Sequence, residues 1–162
     1  MRTCDEAWTA LDNGFKEFMD CLGQLTEEEL TSAPAAGKWT VKDVVAHVWS
    51  WLEEASQTAR AWQGPRPWQA GVTYDDAWNE AQVAGKSTLP LITVVDGMTS
   101  MHRRLMHQLE LADEETLAQV GIAPRGEKMT LLDFFFTVAE HYTAHIPDLR
   151  AYQEQCLEGC ED

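Results

Sequence analysis

Apolar residues recur along this chain at the three- and four-residue spacing of amphipathic helices, and four long stretches carry the pattern. The first fits Cys4 to Leu22, with Trp8, Leu11, Phe15, Phe18 and Leu22 on one stripe. A second helix starts at Thr40. Asp43 follows three residues later, and Trp39 and Val44 flank the cap as a hydrophobic staple, an Asp variant of the capping box. The third stretch fits Leu89 to Leu111, with Leu91, Val95, Met98, Leu105 and Leu109 inward. The start signal recurs at Met129, Thr130, Asp133 and Phe134, so a fourth helix begins there and runs to about Cys156. The chain reads as helices throughout.

Residues 23 to 39 hold a short acidic turn, Thr26 to Leu30, and then Pro34, Ala35, Ala36 and Gly37, enough to join two antiparallel neighbours. The connection from Gln63 to Thr88 is longer. It carries Gly64, Pro65, Pro67 and Gly71 and a short helix from about Tyr74 to Gln82, and it can cross the full length of a bundle. The expected fold is therefore all-α: a single domain over 1–162, built as an up-down-down-up four-helix bundle with a long crossover between helices two and three. A simple meander is the alternative order.

Composition narrows the class. A chain of 162 residues buries roughly two-thirds of its unfolded surface around one core. Twelve Lys and Arg against 27 Asp and Glu give a net charge of −15, a field that repels phosphate backbones and anionic lipid, so nucleic acid is not an expected partner. The longest apolar runs, around Leu89 to Val95 and Leu131 to Val138, fall far short of the ~20 residues of a membrane span. The start Met1-Arg2-Thr3-Cys4-Asp5-Glu6 lacks the form of an export signal, which sets the expectation of a cytoplasmic protein with Cys4, Cys21, Cys156 and Cys160 as reduced thiols.

Three histidines break the apolar stripes. His47 lies in the run Val44, His47, Val48, Trp51, and His141 and His145 lie four apart in Phe134, Val138, His141, His145, Leu149. A buried imidazole without a partner is costly, and three that converge fit a bound metal ion. His47 is seven residues past its cap, about 10 Å along its helix, and His145 is fifteen past its own, about 22 Å. In the crossover topology the two helices are antiparallel, His47 lies about 26 Å from the far end of a helix about 36 Å long, and the levels nearly coincide; in the meander topology they differ by more. Three protein ligands leave coordination positions open, which suits chemistry better than a closed structural site. The competing reading has the three histidines hydrogen-bonded to carbonyls or to Thr137 and Thr143 at the core edge.

Around this triad, Trp51, one turn from His47, and Asp148, three residues past His145, are the expected substrate-pocket residues; a bundle-core aromatic and a solvated carboxylate offset by Arg150 are the competing readings. Glu54 and Asp148 are on the right faces for a general base but about 10 Å along the axis from His47 and His141. As an isolated histidine, His102 reads as a boundary residue of the third helix, and His107 falls on the polar side. Trp62, Trp68 and Trp78 gather around the crossover as a pocket lid, a dimer surface or simple packing.

The stretch Gly37-Lys38-Trp39-Thr40-Val41-Lys42-Asp43-Val44-Val45-Ala46-His47, with Trp51 after it, and Glu140-His141-Tyr142-Thr143-Ala144-His145 resemble the DinB-like superfamily, in particular its branch of ClbS- and DfsB-type proteins. The resemblance implies an up-down-down-up bundle, often dimeric. It also implies one divalent cation on His47, His141 and His145; imidazole ligands suit zinc, nickel and other divalent ions. Characterised members of that superfamily include thiol-dependent transferases, a mycothiol-dependent isomerase and a hydrolase that opens a reactive cyclopropane. The expected function is thus a divalent-metal-dependent enzyme, hydrolase or thiol S-transferase in type, acting on a small electrophilic or toxic molecule, with a thiol cosubstrate in the transferase case. The alternatives are a small-molecule binding or sequestering protein and a structural dimerisation bundle without metal.

Overall fold

The structure, a computed structural model, describes residues 1–159. Its helices are α1 (Cys4–Asp20), α2 (Glu27–Ser32), α3 (Val41–Arg60), α4 (Asp76–Lys86), α5 (Leu91–Leu111), α6 (Glu114–Leu117) and α7 (Leu131–Glu158). Two antiparallel strand pairs sit between them: β1 (Pro34–Ala36) with β2 (Trp39–Thr40), and β3 (Val120–Ile122) with β4 (Lys128–Thr130).

Contacts along the four long helices fix their directions. The start of α1 meets the start of α7 where Arg2 approaches Asp133 at 3.5 Å, and its end meets the far part of α7 where Gln153 Nε2 donates to the Asp20 carbonyl at 2.9 Å. These two run parallel. The start of α3 faces His141 and His145, while Trp62, just past its end, packs on Phe134 with ring centroids 5.1 Å apart, so α3 opposes α7. Lys42 donates to the Ser87 carbonyl and Ser56 to Gln108, so α5 runs with α3. The order is up-down-down-up, with the crossover from Ala61 to Pro90 returning the chain to the top of the bundle.

Helix starts are set by short polar side chains. Thr40 and Asp43 exchange hydrogen bonds at 3.1 Å each, a complete capping box, and further complete boxes at Thr3–Glu6 and Thr26–Glu29 start α1 and α2. At α7, Thr130 caps the Asp133 amide but Asp133 turns towards Arg2 instead of closing the box. The core between the helices holds Leu11, Phe18, Val44, Val48, Leu52, Met98, Leu105, Phe135, Tyr142 and Leu149, all essentially inaccessible. Trp8 departs from its stripe: it is 37% exposed, and its indole donates to Glu110. His102 departs the other way. It is buried, bonded through Nδ1 to the Tyr142 hydroxyl at 2.8 Å and stacked on Phe15 at 4.0 Å, so it belongs to the core and not to its boundary. His107 is exposed.

The strand pairs depart from the all-helical reading. Each strand has only two or three residues, too few for an alternating pattern to register, and turn chemistry makes them instead. In the second pair the Gly126 amide donates to the Ala123 carbonyl at 2.9 Å and the Ala123 amide to the Glu127 carbonyl at 2.8 Å. Pro124 takes the second position of that turn and Gly126 closes it at φ +95°, a left-handed geometry that favours glycine. The hairpin is tied to the bundle from below. Trp62 Nε1 donates to the Gln119 carbonyl at 2.8 Å, Gln63 to the Val120 carbonyl, and Arg66 to the Ile122 carbonyl.

Gly121 lies directly against the Trp62 indole, where an added Cβ meets ring carbon Cε2 at 2.5 Å. That ring is buried and held by its hydrogen bond, so it has little room to retreat. Gly121→Ala is therefore expected to destabilise the protein by about 1–3 kcal/mol, the usual cost of overpacking, read as a lowered urea midpoint. Gly85→Ala, where an added Cβ meets nothing within 4 Å, serves as the control and should be neutral or slightly stabilising.

Candidate metal centre

Antiparallel pairing of α3 and α7 brings His47 opposite His141 and His145. His141 Nε2 stands 3.1 Å from His47 Nε2 and 3.0 Å from His145 Nε2, and the three ring centroids are 4.9–5.0 Å apart. The three ligand-capable nitrogens all lie within 4.8 Å of one another. Protons alone cannot satisfy this cluster. A ring nitrogen carries either one hydrogen or one lone pair, so His141 Nε2 completes one of its two contacts and not both. A cation accepts all three lone pairs at once. Nitrogens around a tetrahedral ion bound at about 2.1 Å stand roughly 3.4 Å apart, within a few tenths of the separations from His141. The residues present fit a divalent metal.

The electrostatics favour the same occupant. Burial, then the neighbouring His145 and Arg125, lower the pKa of His47 to about 3. Burial, with His145, His47 and Arg125 behind it, drives His141 well below the ordinary histidine value, and burial also lowers His145, against a partial opposing pull from Asp148. All three rings are neutral at pH 7, the protonation state that ligates a metal. His47 Nδ1 is buried without a hydrogen-bond partner among the described residues.

A cavity of about 280 Å³ opens beside the triad. Trp51, Leu52, Ala55, Phe134 and Val138 give it apolar walls, His141 reaches it from the metal centre, and Arg125, Glu127 and Glu140 supply charge. The Trp51 ring is 6.0 Å from His141 and stands in an aromatic group with Tyr74 and Trp78 at 5.5 and 4.7 Å. Its Nε1 donates to Asn79 at 2.8 Å, which fixes the ring against α4.

Asp148 is exposed, outside the lining of the cavity, and acts on the site only through its field at His145. Glu54 is buried away from the triad as the tether of the crossover. Its Oε1 accepts from Trp68 Nε1 at 3.0 Å, Gln69 Nε2 at 2.6 Å and the Tyr74 hydroxyl at 2.6 Å. Those three bonds hold the segment that carries Tyr74 and Trp78 against α3. The crossover tryptophans therefore divide their work: Trp62 packs under the hairpin, Trp68 holds Glu54, and Trp78 backs Trp51.

Sequence reasoning missed Arg125, Glu127 and Glu140. Glu140 adjoins His141 in the chain and was legible as a neighbour of a ligand. The other two sit on the turn Ala123-Pro124-Arg125-Gly126, whose Pro and Gly are a hairpin signal, though nothing local points that turn at the metal centre.

The depressed histidines set an acid limit for the metal-free protein. A histidine with a folded-state pKa below its unfolded value of about 6.5 contributes stability that is complete above pH 6.5 and is lost as pH falls towards the folded value. For His47 that window runs down to about 3, and for His102, lowered mainly by burial, to about 4. Chelator-treated protein should lose up to ~1.4 kcal/mol per pH unit for each such histidine between pH 6 and pH 4.5. Urea melts should show a shallower acid limb in His47→Phe, and an unchanged slope would contradict the assignment of a neutral buried ring.

With this geometry in place the likeness to known proteins has a physical meaning. A mycothiol-dependent maleylpyruvate isomerase superposes with a TM-score of 0.74 at 15% identity, covering 91% of this chain and 61% of that one, so the chain spans less than two-thirds of its length. YfiT from Bacillus subtilis, described as a probable metal-dependent hydrolase with an unusual four-helix bundle topology, gives 0.73 at 17% identity, covering 94% of this chain and 87% of YfiT. An uncharacterised protein from Escherichia coli UTI89 gives 0.77 at 14%, covering 96% and 95%. At these identities the structures share the fold. No curated protein matches the sequence. The profile of the DinB superfamily matches residues 10–147, a span that includes all three histidines, and the chain belongs to that superfamily.

Proposed function

We propose that the protein is a divalent-metal-dependent enzyme acting on a small electrophilic molecule, with His47, His141 and His145 as the ligands. The observation that carries this reading is the mutual facing of three neutral Nε2 atoms that hydrogen bonding alone cannot satisfy, at the edge of a cavity with apolar walls. Three protein ligands leave room for a reactant. A divalent ion held there supplies Lewis acidity, which activates water or a thiol as nucleophile and polarises an electrophile. Imidazole suits zinc and nickel alike.

The chain's own residues contribute binding and shielding. Trp51, backed by Tyr74 and Trp78, walls one side of the cavity and keeps water from it, while Leu52, Ala55, Phe134 and Val138 take up an apolar substrate body. Glu140 and Glu127 are the carboxylates that line the cavity and are in place to accept a proton there. The relatives fit both halves of this reading: one is described as a probable metal-dependent hydrolase and another as a mycothiol-dependent isomerase. The thiol cosubstrate and the hydrolase or transferase outcome belong to this proposal, as does a homodimer. A cytoplasmic setting is part of it too, and the free thiols of Cys4, Cys21 and Cys156 suit that; Cys160 lies outside the described residues.

A second reading rests on the same cavity. Its largely apolar lining suits a protein that holds a toxic ligand without turnover, and product analysis after incubation with a bound ligand separates the two.

Protein purified without chelator is expected to carry about one zinc or nickel per chain by elemental analysis. The His141→Ala, His145→Ala double variant should carry none. Metal at 100 times its Kd should stabilise the native state by about 2.7 kcal/mol, read as a melting temperature that falls on chelation and returns on reloading. Wild-type metal content in the double variant would refute the site.

A further inference from the structure

The cavity beside the metal centre carries one cation, and that cation is held in place with its charge unspent. Arg125 sits on the Ala123-Pro124-Arg125-Gly126 turn, whose two backbone hydrogen bonds and left-handed glycine fix its backbone. The hairpin below is tied to the bundle through Trp62, Gln63 and Arg66. From this base the guanidinium lies over the Trp51 ring, 5.0 Å from its centroid. Its field reaches the metal end of the cavity, where it acts on both His47 and His141.

Among the described residues Arg125 makes no ion pair and no side-chain hydrogen bond, although Glu127 and Glu140 line the same cavity. With no hydrogen bond of its own, this guanidinium has its N–H groups free, and that planar fork matches the two oxygens of a carboxylate. The chain as a whole repels anions with a net charge of −15, so an anionic ligand here depends on a cation at close range. Glu127 and Glu140 make a second anionic group on the ligand costly. A volume of about 280 Å³ behind the arginine, walled by Leu52, Ala55, Phe134 and Val138, takes a small apolar body.

We propose that Arg125 is the carboxylate anchor of this site, and that its ligands are small monocarboxylates with an aryl or alkyl body. The carboxylate bridges to the Arg125 fork, the body fills the cavity against Trp51, and the opposite end faces His141. The orientation towards His141 rests on the metal-enzyme reading; the anchor itself does not.

The test uses the full chain, chelator-treated, with phenylacetate and hexanoate each titrated against its primary amide, read by calorimetry and by intrinsic tryptophan fluorescence. Wild type should bind the acid at least tenfold more tightly than the amide. Arg125→Gln should abolish that preference and Arg125→Lys should keep part of it. Because Arg125 is exposed on a turn, both variants should melt as wild type does. Absence of any acid preference in wild type, failure of both acids to bind, or the same preference in Arg125→Gln would overturn the anchor. Zinc uptake, measured on the same proteins, separates the two readings. Normal zinc content without acid preference defeats the anchor alone, and an Arg125-dependent preference in protein that takes up no zinc supports the anchor while the metal reading falls.

Discussion

Three imidazoles packed against one another between α3 and α7, His47 buried and His141 and His145 half-buried, are the constraint on which the rest of this structure depends. Desolvation holds them neutral, and their nitrogens face a common point that no arrangement of protons satisfies. Such a cluster costs stability in the empty protein. It persists because the helices that carry the rings are fixed by buried apolar neighbours in the chain: Val44 and Val48 flank His47 on α3, and Val138, Tyr142 and Leu149 flank His141 and His145 on α7. Tyr142 is itself fixed by its hydroxyl bond to His102, and Gly14 of α1 approaches it so closely that an added Cβ stands 3.3 Å from the Tyr142 Cβ. The rigidity of the centre thus derives from contacts on all four long helices.

Non-helical segments turn this centre into a site. The up-down-down-up order requires a long crossover, and the chain uses it as a wall: one buried carboxylate, Glu54, gathers Trp68, Gln69 and Tyr74 and so sets Tyr74 and Trp78 behind Trp51. The hairpin between α6 and α7 closes the opposite side and delivers Arg125, Glu127 and Ala123 to the cavity. The hairpin is held by a few hydrogen bonds to the body, and the crossover by the Glu54 bonds together with the packing of α4 on α3. Loops positioned by a rigid scaffold are the usual carriers of recognition, and the division of labour here follows that rule.

The helices and the three histidines were legible because their signals are local and periodic. A threonine three residues before an acid marks the starts of α3 and α7, and a histidine on an apolar stripe conflicts with its neighbours in a way that composition alone exposes. Axial position then followed from residue counts. The cavity was less legible because it is made of relations between distant segments. His102 reads as a boundary residue on its own helix, and only Tyr142 and Phe15, from two other helices, make it core. Glu54 lies on the expected face of α3, but three donors from the crossover occupy its Oε1, and nothing in their sequence announces that. Arg125 stands on a recognisable turn whose direction is decided by Trp62 and Gly121, about sixty residues apart in the chain.

The carboxylate of Glu54 shapes the site without touching the histidines. It is a buried acid two turns along α3 from His47, about 10 Å away, and its Oε1 is taken by three donors. Freeing it would release Trp68, Gln69 and Tyr74 together, and with them the backing of Trp51. Glu54 therefore holds the crossover and stands too far along α3 to join the histidine group. The carboxylates left near the triad, Glu127 and Glu140, line the cavity and are exposed, where a ligand meets them before a buried ion does. The tether that shapes the cavity thus works at a distance from the histidines: it sets the wall that a ligand meets, while the three imidazoles supply the ligand-capable nitrogens.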